Sequence, residues 1–235
     1  MTVDTSGGST TAAPRMTRRD RRSVGVFLAL AFALAWLVAL PLWLGDGLAT
    51  PWFPLVAVAM MVTPAIATLV VVFAVEKPQH KARTLGLWPL TPARRVFGYA
   101  ALGIVVPVAL VLVALPIGAL LGVYPADFAG LSAFRQLLDA QTGGAVLPIS
   151  PGALVAIQLA ALPVAALINL LPALGEELGW RGWLLPKLMP LGALPAILVS
   201  GVVWGAWHAP LILLGYNYPQ HPQLGALLMV GFCVI

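Results

Sequence analysis

Between Val24 and Leu44 the chain carries no charged residue, and about 20 apolar residues in succession are enough for an α-helix to cross the hydrocarbon core of a bilayer. No other feature limits the fold as strongly, because the stretch recurs. A second run extends from about Phe53 to Val75, a third from about Val96 to Val123, a fourth from about Ala153 to at least Gly175 and a fifth from about Leu194 to Leu214, while a sixth begins near Leu224 and reaches only Ile235. The runs are continuous rather than alternating, the pattern of helices that satisfy their own backbone groups and not of lipid-facing barrel strands. Composition agrees: 60% of the 235 residues are hydrophobic and 9% charged, leaving too few polar groups to keep a water-soluble domain of this size dispersed. The expected fold is all-α, a polytopic transmembrane helical bundle of five full spans and a partial sixth. Residues 1–22, rich in Ser, Thr, Gly and Arg, read as a disordered basic tail, and 23–235 as one membrane-embedded domain, incomplete at its C-terminus.

The formal charge of +5 does not indicate nucleic acid, because the basic residues lie in the tail and between apolar runs rather than on a soluble face. They report topology. Of the 13 Lys and Arg, all but Arg135 fall on one side of the predicted spans, which makes that side and the N-terminus cytoplasmic. The segment from Tyr124 to Gly152 then reads as an outer loop. A single cysteine, Cys233, excludes an internal disulfide framework. Ala-, Arg- and Gly-rich usage is bacterial in character, so the predicted location is a bacterial cell membrane, crossed several times.

The fourth run leads into Leu174–Lys187, where two adjacent carboxylates, Glu176 and Glu177, and Arg181 follow about twenty residues whose only side-chain polarity is Gln158 and Asn169. A carboxylate near hydrocarbon costs on the order of a few kcal/mol, so the pair is a candidate functional site. At about 100° per residue Glu177 and Arg181 nearly stack on one helix face while Glu176 points aside. Arg181 can therefore neutralise Glu177 and leave Glu176 as a base for proton transfer. Gln158, Asn169 and Glu176 return to within about 20° of one another on an ideal helix and would form a polar stripe, weakened by Pro163 and Pro172. Trp180 and Trp183 read as an aromatic belt at the membrane surface.

His208 lies inside the fifth run, with Trp204 four residues before it and Pro210 two after. An ionisable residue within a span generally faces a cavity or a polar partner, and Glu176 is the natural one. Depth supports the pairing if the fourth helix continues to Pro186: Glu176 then lies roughly 15 Å, and His208 roughly 20 Å, from the cytoplasmic ends of their helices at about 1.5 Å per residue. Gly201 and Gly205 would let another helix approach closely. His80 and His221 read as solvated.

Glu176-Glu177-Leu178-Gly179-Trp180-Arg181, followed by Gly182, resembles the Glu-Glu-x-x-x-Arg signature of the CPBP family of intramembrane proteases, which includes type II CAAX prenyl endopeptidases and abortive-infection proteins. Trp204-Gly-Ala-Trp-His208 is similar to that family's second motif, an aromatic residue, usually Phe, four positions before a histidine. The resemblance covers roughly residues 150–235. It implies that Glu176 activates water, that Glu177 and Arg181 orient it, and that His208 assists the water or the transition state. The substrate would be a membrane-associated peptide or protein cut near the cytoplasmic face, with membrane lipids the other partner, no nucleic acid and no cofactor. A third motif, a later histidine followed four positions on by Asn, is absent, since Gly225 stands four after His221; this and the short sixth run suggest C-terminal truncation. Two alternatives remain: a metallopeptidase in which Glu176, Glu177 and His208 hold zinc, and a non-enzymatic immunity, scaffold or transport protein that binds through the acidic pair.

Overall fold

A computed structural model of the chain describes residues 15–123, 127–145 and 147–234, and every regular element among them is helical. In chain order the helices are α1 (Arg18–Leu44), α2 (Phe53–Val70), α3 (Lys81–Thr84), α4 (Ala93–Leu120), α5 (Ser132–Thr142), α6 (Pro151–Glu177), α7 (Leu185–Leu188), α8 (Ala193–Trp207), α9 (Ala209–Ile212) and α10 (Pro222–Val234). Two π-helical stretches, Val71–Glu76 and Leu178–Leu184, extend α2 and α6. The protein is an all-α membrane protein. Among the described residues three helical stretches, Arg18–Leu44, Phe53–Glu76 and Ala93–Leu120, are long and apolar enough to cross a bilayer, and Pro151–Leu162 with Val164–Leu191 adds a fourth if the bent pair is one span.

The described residues fall into two units, one of 15–89 with 170–234 and one of 90–169. The first is a packed helical core. α1 opens with a capping box in which the Thr17 hydroxyl accepts the Asp20 N–H at 3.1 Å and the Asp20 carboxylate accepts the Thr17 N–H at 3.2 Å. These reciprocal bonds start the helix early. Arg18, Arg19, Arg21 and Arg22, expected in a disordered tail reaching residue 22, are therefore the first turns of α1; residues 1–14 lie outside the described residues. The buried face of α1 repeats every fourth residue through Phe27, Ala31, Ala35 and Ala39, and its small side chains admit α2.

The fourth run does continue past Gly175, as the depth comparison requires. It does so as a π-helix, closed by the Leu185 N–H on the Trp180 carbonyl. Pro186 does not stop it, because a proline in the first turn of α7 gives up a donor that a new helix would leave unused. Close packing accompanies the change of winding: a Cβ on Gly175 would stand 2.9 Å from the Met61 carbonyl oxygen, and one on Gly179 2.6 Å from Pro64. The fifth run breaks at His208, because Pro210 cannot continue the hydrogen-bond ladder, and α9 restarts at Ala209 with Pro210 in its first turn. Gly201 and Gly205 meet α10 as expected, since a Cβ on Gly201 would lie 2.6 Å from the Cys233 carbonyl oxygen and one on Gly205 would run into the Val230 backbone.

In the second unit α4 has no buried residue. The segment read as an outer loop contains α5, started by Leu131 in the left-handed region at φ 52° and fastened by Arg135 Nε donating to the Gly130 carbonyl at 2.8 Å. Gln158 and Asn169 are exposed where Glu176 is buried, and Asn169 donates back to the Ala165 carbonyl at 2.8 Å.

Candidate active site

The end of α6 sets the acidic pair apart. Glu177 takes the guanidinium of Arg181, one turn on, at 2.5 Å between Oε1 and Nη1. Glu176, one residue earlier, is turned inward and only 7% exposed. This is the division of roles that the spacing predicts. Two adjacent carboxylates compete for one cation, and the helical geometry awards it to the residue four positions away.

Glu176 does not meet His208 directly. Its partner is Trp204 on α8, whose indole N–H donates to Glu176 Oε2 at 2.9 Å. Among the described residues no donor reaches Oε1. His208 closes the arrangement from the other side of Trp204, with Nδ1 2.9 Å from the Trp204 carbonyl oxygen. A carbonyl only accepts, so Nδ1 carries the proton and Nε2 presents its lone pair. The imidazole packs against two indoles, 5.7 Å from Trp204 and 4.9 Å from Trp207 between centroids. Arg181 lies over the Trp204 face, its Cζ 4.0 Å from the ring centroid. Four predicted site residues, Glu176, Glu177, Arg181 and His208, are thus gathered around a fifth side chain that the motif treats as a plain aromatic.

Trp180 and Trp183 are corrected by the same packing. Each is 1% exposed, and Phe27 of α1 stands 5.3 and 5.0 Å from their rings. They belong to the core and not to a surface belt, because the π-helix rotates both indoles toward α1. His80 and His221 are exposed, as expected, and Gly225 is buried against Tyr218, so that pair adds nothing to the site. Among the described residues no three His, Cys, Asp or Glu side chains gather as metal ligands.

A charged cluster that the motifs did not announce lies at the other end of this unit. Glu76, closing the π-helix after α2, is as buried as Glu176 and receives Lys187 Nζ at 2.8 Å on Oε1. Lys187 also reaches Asp20 Oδ1 at 3.0 Å. The available signal was a carboxylate ending an apolar run where a basic flank is usual.

Comparison with known families covers the stretch that holds these residues. The stretch from 158 to 235, which contains both motifs, matches the family model described as type II CAAX prenyl endopeptidase Rce1-like. That stretch is similar to the Rce1-like endopeptidases, in keeping with the resemblance of its two motifs to the CPBP family. No curated protein and no solved structure matches the chain. The matched stretch holds all four predicted site residues and Trp204, and it begins within α6.

Proposed function

We propose that the protein is a multi-pass membrane endopeptidase of the CAAX-protease type, N-terminus cytoplasmic, in a bacterial cell membrane, that uses Glu176 to activate water without a metal cofactor. One observation carries this reading: the Arg181 guanidinium is committed to Glu177, while Glu176, buried beside it, has one oxygen held by Trp204 and one that no donor among the described residues reaches. A base must be able to accept a proton at a fixed place, and a carboxylate held by one neutral donor meets that need where an ion-paired one does not. Glu176 Oε1 takes a proton from water, the hydroxide attacks the scissile carbonyl, and the proton passes to the departing amine. His208 Nε2 accepts from the same water and holds it in line. Glu177 and Arg181 act by fixing the last turn of α6.

The substrate is a membrane-associated peptide or protein, and the name of the matched family makes a C-terminal prenylated box the first to test. The chain purified in detergent is expected to cleave a quenched-fluorescent peptide ending in farnesyl-Cys-aliphatic-aliphatic-X. Glu176→Gln lowers kcat by about 1,000-fold, within the range that a general base supplies. Chelation with EDTA leaves the rate unchanged. Wild-type turnover in Glu176→Gln would remove the mechanism, and a rate lost to EDTA and restored by zinc would replace it with the metal one.

A further inference from the structure

Trp204 touches three of the four site residues, all but Glu177. It offers a hydrogen-bond donor to Glu176, a carbonyl acceptor to His208 and an aromatic face to Arg181. The family motif asks only for an aromatic residue there and usually has Phe, which has the face and the main-chain carbonyl but no side-chain N–H. The bond from Nε1 to Glu176 Oε2 is therefore one that a Phe at this position could not make.

We propose that Trp204 is a positioning residue: its indole N–H aims the Glu176 carboxylate so that Oε1 faces the water, and its carbonyl holds the His208 proton on Nδ1. The proposal rests on the endopeptidase reading given above. A free carboxylate rotates about its last bond and presents either oxygen, whereas one oxygen anchored at 2.9 Å defines where the other lies. Because Glu176 sits on α6 and Trp204 on α8, the same bond keeps the base in register with the helix that carries the imidazole. The indole is held in turn, with the guanidinium 4.0 Å above its ring.

Trp204→Phe removes the N–H and leaves the face and the carbonyl. Trp180 supplies the matched control, since its buried Nε1 has no hydrogen-bond partner, and Trp180→Phe deletes an indole N–H that aims nothing. On the farnesylated peptide, Trp204→Phe is expected to lower kcat about 10- to 100-fold with KM changed less than about 2-fold, the loss of one hydrogen bond to a charged group read as rate. Trp180→Phe stays within about 2-fold of wild type. Wild-type kcat in Trp204→Phe, together with an inactive Glu176→Gln, overturns the positioning role and leaves the endopeptidase reading standing. A second measurement stands apart from turnover: in protein labelled with 15N at its indoles, the signal missing from Trp204→Phe identifies Nε1, and Glu176→Gln must shift that signal. An unmoved Trp204 signal overturns the proposal even if the peptide is never cut.

Discussion

Among the described residues two carboxylates, one cation paired with a carboxylate and one indole N–H come together twice, and only one of the two sets is suited to chemistry. At the end formed by α1, the π-helix after α2 and α7, Lys187 lies 3.0 Å from Asp20 and 2.8 Å from Glu76. The Trp183 Nε1 stands 3.4 Å from the second oxygen of Glu76, and Arg19 donates to the Glu76 carbonyl. At the end of α6, Arg181 serves Glu177 alone and Trp204 serves one oxygen of Glu176. Glu76 and Glu176 are equally buried at 7% exposure. Burial therefore does not separate them, but what remains unpaired does. A compact ammonium can stand between two carboxylates as a point charge, whereas a planar guanidinium commits its fork to one and stacks on a ring. The first set closes on itself and joins three elements; the second keeps an oxygen in reserve.

Exchanging the two glutamates tests that contrast most strongly. Glu176→Gln is expected to remove about 4 kcal/mol of transition-state stabilisation, the equivalent of its thousandfold loss in kcat, with little change in melting temperature. Glu76→Gln should do the opposite, leaving kcat per folded molecule within about 2-fold while the melting temperature in detergent falls. If Glu76→Gln were to abolish cleavage in protein that melts normally, the division into a closed and an open cluster would be wrong.

Lys187→Met is next in size. It strands Glu76 in a buried position without its cation, and breaking such a pair from one side costs about 3 kcal/mol. The expected result is a clear drop in melting temperature and kcat unchanged for the folded fraction. Restoring a partial match with Lys187→Met and Glu76→Leu together should recover much of the stability, because replacing both partners by apolar groups leaves no orphaned charge.

Much of this contrast could be read from the residue order, and the rest could not for identifiable reasons. The uncharged runs define the helices because bilayer thickness and backbone satisfaction allow little else. The Glu177–Arg181 bond follows from helical spacing, and the Gly201 and Gly205 approach to α10 from the space that glycine leaves. The failures concern distances between helices. Glu176 and His208 were expected to be direct partners, but Glu176 takes the Trp204 indole and His208 the Trp204 carbonyl, and spacing along one helix says nothing of the gap to the next. Trp180 and Trp183 are equally suited to a membrane surface and to a core, and the π-helix that decides between them depends on how closely Gly179 packs against Pro64. Glu76 went unnoticed because its partners, Asp20 and Lys187, are remote in sequence and no motif contains all three.

Arg181→Met gives the smallest effect and the sharpest contrast with Lys187→Met, since both delete the cation of a cluster. The Glu177–Arg181 side chains are 47% and 43% exposed, and ion pairs of that exposure contribute on the order of 0.5 kcal/mol to stability. The melting temperature should therefore move by far less than in Lys187→Met. Activity should respond in the reverse order. Without Arg181, Glu177 is free to turn its charge toward Glu176, and the Trp204 ring loses the cation that covers its face. The expected fall in kcat is about 10-fold, equivalent to about 1.4 kcal/mol, because the base is still present and only its aim is loosened. Arg181→Lys should recover the charge but not the planar stack, and so part of the rate. A loss of stability in Arg181→Met as large as that of Lys187→Met, with kcat intact, would mean that Arg181 fastens helices in the way Lys187 does. The open cluster would then differ from the closed one only in having fewer bonds.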